Sequence, residues 1–230
     1  MIERVEPTAA YELVVDRIRR AIHNGTYVPG DKFPPERILA QNLGVSRTTV
    51  REAIRVLEGE GYVEARRGAT GGVIVSYQGQ TEERWRPIVQ ERLGELNELL
   101  DFRLANECAA ARLAAERRTD EDLAVLAAAH DEMQRVLETA RFRAADSAFH
   151  LGIADAARNR FLRKAIEDAR SAMWMPLDPL AEQVFSTANS HHDRLLEAIR
   201  ARDPEAAAAA AAEHLESVRQ DLYRIVGSGD

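Results

Sequence analysis

Asp146 and His150 stand four positions apart in a stretch of helical periodicity, so both side chains share a face and can grip one ion. Two further imidazoles, His192 and His214, fall on the last two predicted helices. Three neutral imidazoles and one carboxylate suit a divalent transition metal such as Zn, Ni or Mn, one per subunit, with coordination positions left open. Spacing alone does not bring the four together. For each histidine taken singly, a surface or hydrogen-bonded core role is the simpler account.

A second group of side chains suits a different partner. Arg47, Thr48, Arg51 and Arg55 lie on the outward sides of a helix whose other positions, Val50, Ala53, Ile54 and Leu57, recur at i, i+3, i+4 and i+7 and point into a core. Arginine forks onto guanine O6 and N7, and threonine bonds a base or touches a thymine methyl. The alternative is a surface helix with solvated arginines. Against it stand three coincident signals: a preceding helix, Gly44 where that helix must stop, and Ser46 where the next needs a cap. Together they spell a helix-turn-helix whose second helix can enter a major groove.

The elements that position this helix can be read on either side of it. Upstream, Thr8 is placed to cap a helix running to about Asn24. Pro29-Gly30 and Pro34-Pro35 then make a turn-rich connection, and a second helix spans Glu36 to Leu43 with Arg37 projecting from its start. Lys32, in the connection, is a candidate phosphate neighbour. Downstream, Tyr62 to Arg66 alternates as a strand, Gly68 to Gly72 is a flexible tip, and Val73-Ile74-Val75 returns. Arg66, Arg67 and Gly68 suit a phosphate or minor-groove contact. A phosphate-cradling glycine loop does not fit, because these glycines lie between strands and open no helix.

The runs Pro29-Gly30-Asp31, Pro34-Pro35-Glu36-Arg37, Leu43 to Ala53 and Leu57-Glu58-Gly59-Glu60-Gly61-Tyr62 closely resemble the winged helix-turn-helix of GntR-family transcription regulators. That resemblance implies DNA contacts from Arg37, Arg47, Thr48, Arg51, Arg67 and Gly68, with Ser46 and Thr49 on the same helix start. The wing departs slightly from the pattern, since Ala69-Thr70-Gly71-Gly72 is longer and richer in glycine than a minimal tip.

Beyond a short polar linker the chain reads as helix after helix, with predicted spans near 82–93, 96–117, 121–139, 143–158, 160–174, 181–202 and 204–226. Thr119 before Asp120-Glu121-Asp122, and Asp203 before Pro204-Glu205, are cap signals. The alanine run from Ala206 to Ala212 is strong helix former and needs no functional account. The expected architecture is mainly α: a winged helix-turn-helix with a small β-wing over 1–76, a linker over 77–80, and an all-α antiparallel bundle over 81–230.

Glu98-Leu99-Leu100-Asp101-Phe102-Arg103, Asp146 through His150, Asn159, His192 through Ile199, Asp203 and His214-Leu215 resemble the FCD effector-binding domain of FadR-type GntR regulators. The resemblance implies a metal held by Asp146, His150, His192 and His214, with a small organic acid completing its coordination. It also places Arg103 where a guanidinium pairs with the acid's carboxylate. His191 points elsewhere on its helix, and Met173, Trp174 and Met175 are core or interface candidates.

Composition agrees with this division. The 230 residues carry a formal charge of −7, but residues 1–78 hold 11 Lys/Arg against 10 Asp/Glu, and the remainder holds 20 against 28. The acidity therefore belongs to the second part and does not oppose DNA binding by the first. The single cysteine, Cys108, excludes an internal disulfide framework and fits a reducing cytoplasm. No apolar run approaches a membrane span, and the first residues lack a signal-peptide pattern.

The expectation is a cytoplasmic homodimer, a repressor, on a double-stranded palindromic operator, because one recognition helix reads too few bases for a unique address. Its operator affinity would be set by a small carboxylate effector. The rival is a metal-dependent enzyme acting on a small acid with a DNA-binding appendage. No general base or nucleophile stands out in the sequence beside the four ligands.

Overall fold

The computed structural model describes residues 9–66, 71–76, 87, 89–136, 139–173 and 181–227. Its chain divides into two compact units, residues 1–78 and 79–230.

In the first unit, α1 (Ala10–His23) buries Val14, Val15, Ile18 and Ile22. The cap predicted at Thr8 lies outside the described residues, and Ala9 at the α1 N-cap position supplies no side-chain bond. Helix α2 (Glu36–Leu43) ends at Gly44, whose φ of 69° is left-handed and favours glycine. Helix α3 (Arg47–Gly59) then starts from Ser46, whose hydroxyl accepts the Thr49 amide at 3.0 Å. The α3 stripe of Val50, Ala53, Ile54 and Leu57 is buried against α1 and α2, so the opposite face must look outward.

The wing follows. Strand β1 (Val63–Arg66) pairs antiparallel with β2 (Gly72–Val75), with Val63 opposite Val75 and Arg66 opposite Gly72. The proline-rich connection joins as a third edge: Phe33 donates to the Val73 carbonyl at 2.8 Å, and Val75 donates to Asp31 at 2.9 Å. Buried Phe33, Val63 and Val75 pin the hairpin to the helices. The predicted wing tip, including Arg67 and Gly68, lies outside the described residues, as does the linker over 77–80.

The second unit is a helical bundle of α4 (Leu93–Arg117), α5 (Asp120–Arg135), α6 (Thr139–Ala156), α7 (Arg160–Ala172), α8 (Ala181–Arg200) and α9 (Pro204–Gly227). Helix α4 is the hub, packing on α6, α7, α8 and α9. It can do so because Ala110, Ala111, Ala114 and Ala115 are all buried and let neighbouring backbones approach closely. The expected caps form. Thr119 and Asp122 make a reciprocal capping box, Asn159 accepts the Phe161 and Leu162 amides, and Asp203 accepts the Ala206 amide.

Several boundaries differ from expectation: α4 begins at Leu93 rather than Leu96, α8 ends at Arg200 rather than Arg202, and most of the helix predicted over 82–93 lies outside the described residues. The helix predicted over 121–139 stops at Arg135, and the next begins at Thr139 rather than Arg143. Residues 120–158 are rich in alanine and charge throughout, so periodicity carries no break there. The break shows only in the extended backbone at Val136.

Candidate nucleic-acid interface and metal centre

Arg37, Arg47, Thr48 and Arg51 are all exposed, on α2 and the first turns of α3. The apolar stripe behind α3 leaves them no core to join, so the helix presents them to solvent. Ser46 and Thr49 are bound to each other: besides the cap, their hydroxyls lie 2.9 Å apart. Their first role is therefore to start α3.

Arg51 has a partner that sequence reading missed. Its guanidinium lies against Glu36 at the start of α2, with Nη2 2.8 Å from Oε2 and Nε 3.4 Å from Oε1. Glu36 was visible in sequence only as an acid in a helix first turn, which has an ordinary explanation in the helix dipole. Lys32 is exposed beside the wing, where its backbone bridges Ile74 and its stem covers Gly72.

In the bundle, the fold brings all four predicted ligands together. One donor atom from each of Asp146, His150, His192 and His214 lies within 4.8 Å of the others. His150 Nε2 and His192 Nε2 are 3.2 Å apart, and Asp146 Oδ1 is 3.2 Å from His192 Nε2 and 3.6 Å from His150 Nε2. Ligand atoms bound at about 2.1 Å to one ion sit roughly 3.0–3.4 Å from their neighbours in octahedral or tetrahedral arrangement, and the 3.2, 3.2 and 3.6 Å separations among Asp146, His150 and His192 come close to that.

The surroundings fit it as well. The His192 side chain is 0% exposed, and the Nδ1 atoms of His192 and His214 are buried with no hydrogen-bond partner among the described residues. Burial pushes the His192 titration down despite the opposing Asp146 carboxylate. It pushes His214 well down, with His192 and His150 adding to the effect. Both rings are thus held neutral, the form that ligates a metal. Asp146 is held ionised although burial opposes it, because Arg170 and His150 hold its carboxyl well below the usual range.

Two supporting residues were not anticipated. Glu107 Oε2 lies 2.9 Å from His150 Nδ1, an electrostatic pairing without hydrogen-bond alignment that leaves Nε2 on the side of the cluster. Arg103 Nε in turn lies 2.6 Å from Glu107 Oε1, both side chains being buried. Burial raises the Glu107 titration, but Arg103 and His150 outweigh it and keep the carboxyl well below its ordinary value. The second residue, Arg170, is paired with Asp146 Oδ2. The i, i+4 spacing of Arg103 and Glu107 was available as a signal. Arg170 lies 24 positions from Asp146, and no local pattern joins them.

Arg103, expected to face an effector, is buried beside the cluster and also donates to the Met173 sulfur at 3.0 Å, a weak acceptor. A small cavity adjoins the site, lined in part by Glu107, His150, His214, Ala111 and Ile166. His191 is not among the converging ligands: its Nδ1 pairs with Arg194 at 2.8 Å, and its ring centroid lies 6.3 Å from that of His214. Phe149, fully buried, sets its ring against both His150 and His192.

A helix-turn-helix with a wing, followed by a helical domain holding a buried ligating cluster, defines a DNA-binding transcription regulator with an effector domain. Residues 10–73 match the bacterial regulatory proteins of the gntR family, and residues 98–217 match the FCD domain. The chain is 32% identical over 228 residues to the Exu regulon transcriptional regulator of Escherichia coli K12, covering 96% of this chain and 88% of that one. It is 34% identical over 232 residues to the Uxu operon transcriptional regulator of the same strain, covering 96% and 89%. Among solved structures, E. coli McbR/YncC shares the fold with a TM-score of 0.56 at 24% identity, covering 95% of this chain and 99% of that one. The chain belongs to the GntR family, and it is a transcription regulator of the FCD-bearing kind rather than an enzyme. No helix among the described residues is long and apolar enough to cross a membrane.

Proposed function

We propose that this protein is a cytoplasmic, homodimeric repressor whose hold on a palindromic operator is set by a small organic acid bound at a metal centre in the bundle. The observation that carries this reading is the convergence of four ligating atoms, three of them on buried imidazoles, inside a domain of the FCD kind. Asp146, His150, His192 and His214 would hold a divalent transition metal, Zn, Ni or Mn. Such an ion supplies a Lewis-acid anchor for a carboxylate oxygen.

The chain's own residues do the rest. Glu107 orients His150, Phe149 wedges the rings of His150 and His192, and Arg103 offers its remaining donors to the acid's second oxygen. At the other site, Arg47, Thr48 and Arg51 read bases from α3, and Arg37 steadies the approach at a phosphate or base. Ser46 and Thr49 hold the start of that helix, and Arg67 and Gly68 reach the adjoining groove from the wing. A dimer follows from the need for two recognition helices on a two-fold site. Coupling requires the acid to bind one arrangement of the dimer more tightly than the other. The names of three relatives tie each to one regulon or operon, which supports a dedicated input, and one of them, the Glc operon transcriptional activator, is named as an activator.

The test joins metal content to regulation. Elemental analysis of the full chain should give about one transition-metal ion per subunit, lost in His192→Ala. A thermal-shift screen of short carboxylates on the metal-loaded protein should return an acid that raises the melting temperature. That acid should change operator affinity in the wild type and not in the variant. Metal-free protein that responds fully to the acid would defeat the metal reading, and an acid that binds without altering DNA affinity would defeat the coupling.

A further inference from the structure

The Arg51 fork is occupied from the side. Glu36 takes Nε and one Nη2 proton, and a guanidinium has five donors. Three remain, and they include the end-on pair formed by Nη1 and the outer Nη2 proton. That pair has the spacing to straddle guanine O6 and N7. The contact with Glu36 therefore need not break when Arg51 meets a base. It fixes the direction in which the free end of the fork points.

The arrangement is particular to this arginine. Arg37 and Arg47, equally exposed on the same surface, make no ion pair among the described residues. The Arg51 side chain is half exposed, and Glu36 is its ion-pair partner among the described residues. Glu36 itself is anchored at the first position of α2, where the helix dipole favours a carboxylate. Its hydrogen bond from Arg51, opposed by partial burial and aided by nearby Arg47, holds its carboxyl below the ordinary value.

A carboxylate on a surface that must approach phosphates has an energetic cost, because it repels every DNA sequence alike. A side chain that weakens general binding while ordering one base-reading arginine shifts the balance toward discrimination. We infer that Glu36 is a positioning residue for sequence readout: it braces Arg51 across the α2–α3 turn so that the arginine meets its base end-on, and it suppresses non-specific DNA binding.

This inference rests on the assignment of Arg51 to base readout, and the experiment separates the two. The wild-type full chain is first used to select its preferred duplex from a random library. Affinities of wild type, Arg51→Ala, Glu36→Ala, Glu36→Gln and the double variant are then measured on that duplex, on each single base-pair change, and on unrelated duplex, at two salt concentrations. Melting temperatures confirm that each variant is folded.

If Arg51 reads a base, Arg51→Ala loses discrimination at one position by about 5- to 150-fold, and leaves the others alone. If Glu36 braces it, Glu36→Ala loses discrimination of the order of tenfold at that same position, while binding to unrelated duplex tightens. Glu36→Gln, which can still accept a hydrogen bond, recovers part of the discrimination but shows the tighter unrelated binding. In the Arg51→Ala background Glu36→Ala has no further positional effect. A uniform change across all duplexes from Glu36→Ala overturns the bracing role while leaving the Arg51 reading intact. A positional effect that persists without Arg51 shows Glu36 reading a base itself and also overturns it. A uniform loss from Arg51→Ala defeats the underlying assignment, and the inference with it.

Discussion

Replacing Glu107 by glutamine tests how far the proposed metal centre depends on a residue that reaches the candidate ligands only through His150. The side chain keeps its shape, but the carboxylate that sits 2.9 Å from His150 Nδ1 becomes a neutral amide. His150 Nδ1 then faces a neutral amide whose one oxygen can serve either His150 or Arg103, so Nε2 is held less firmly toward Asp146 and His192. Outer carboxylates of this kind alter metal affinity by about 10- to 100-fold, which is roughly 1.4–2.7 kcal/mol. A second effect acts in parallel. Arg103 is left buried without its charge partner, and breaking a buried pair costs about 3–5 kcal/mol of stability.

The two effects part company in the double variant Arg103→Met/Glu107→Gln, which removes the orphaned cation and should recover much of the melting temperature. Its metal affinity should stay low. Zinc affinity is read by competition with a chromophoric chelator, and stability by urea unfolding of the metal-stripped protein. If the double variant regains both stability and wild-type zinc affinity, Glu107 acts only as a counter-ion to Arg103 and the argument about His150 is wrong.

The remaining predictions concern stability. Burial lowers the titration of His192 and His214 from the ordinary 6.5, so below that pH the unfolded chain takes up protons that the folded chain does not. Stability of the metal-stripped protein should therefore fall as pH drops from about 6.5, by up to about 1.4 kcal/mol per pH unit for each ring. Asp146 and Glu107, lowered from 3.8 and 4.5, contribute stability that is present above those values and is lost only in stronger acid. Urea unfolding at pH 7.5, 6.5 and 5.5, followed by loss of helical circular dichroism, checks this; a flat or rising profile would contradict the neutral-imidazole account. Phe149→Ala should cost about 3–5 kcal/mol by the same assay, since the ring is fully buried, and should also weaken metal binding by releasing His150 and His192.

The amino-acid sequence alone marked out the helix-turn-helix and singled out Asp146, His150, His192 and His214 as a candidate ligating set. Gly44, Ser46 and the apolar stripe of α3 are local signals: a left-handed stop, a cap and a 3.6-residue period act over a few residues, so their meaning does not depend on distant parts of the chain. Asp146 and His150 shared a face for the same reason. Whether His192 and His214 joined them was beyond any local rule, because three separate helices had to pack before the four atoms came within 4.8 Å. Only the tertiary structure supplied the partners. Glu107, Arg170 and Glu36 are each an unremarkable charge on a helix until packing sets them against His150, Asp146 and Arg51. Contacts between helices depend on distance in space, which the order of residues along the chain does not encode one by one. That is why the candidate ligands could be proposed from sequence and the groups packed beside them could not.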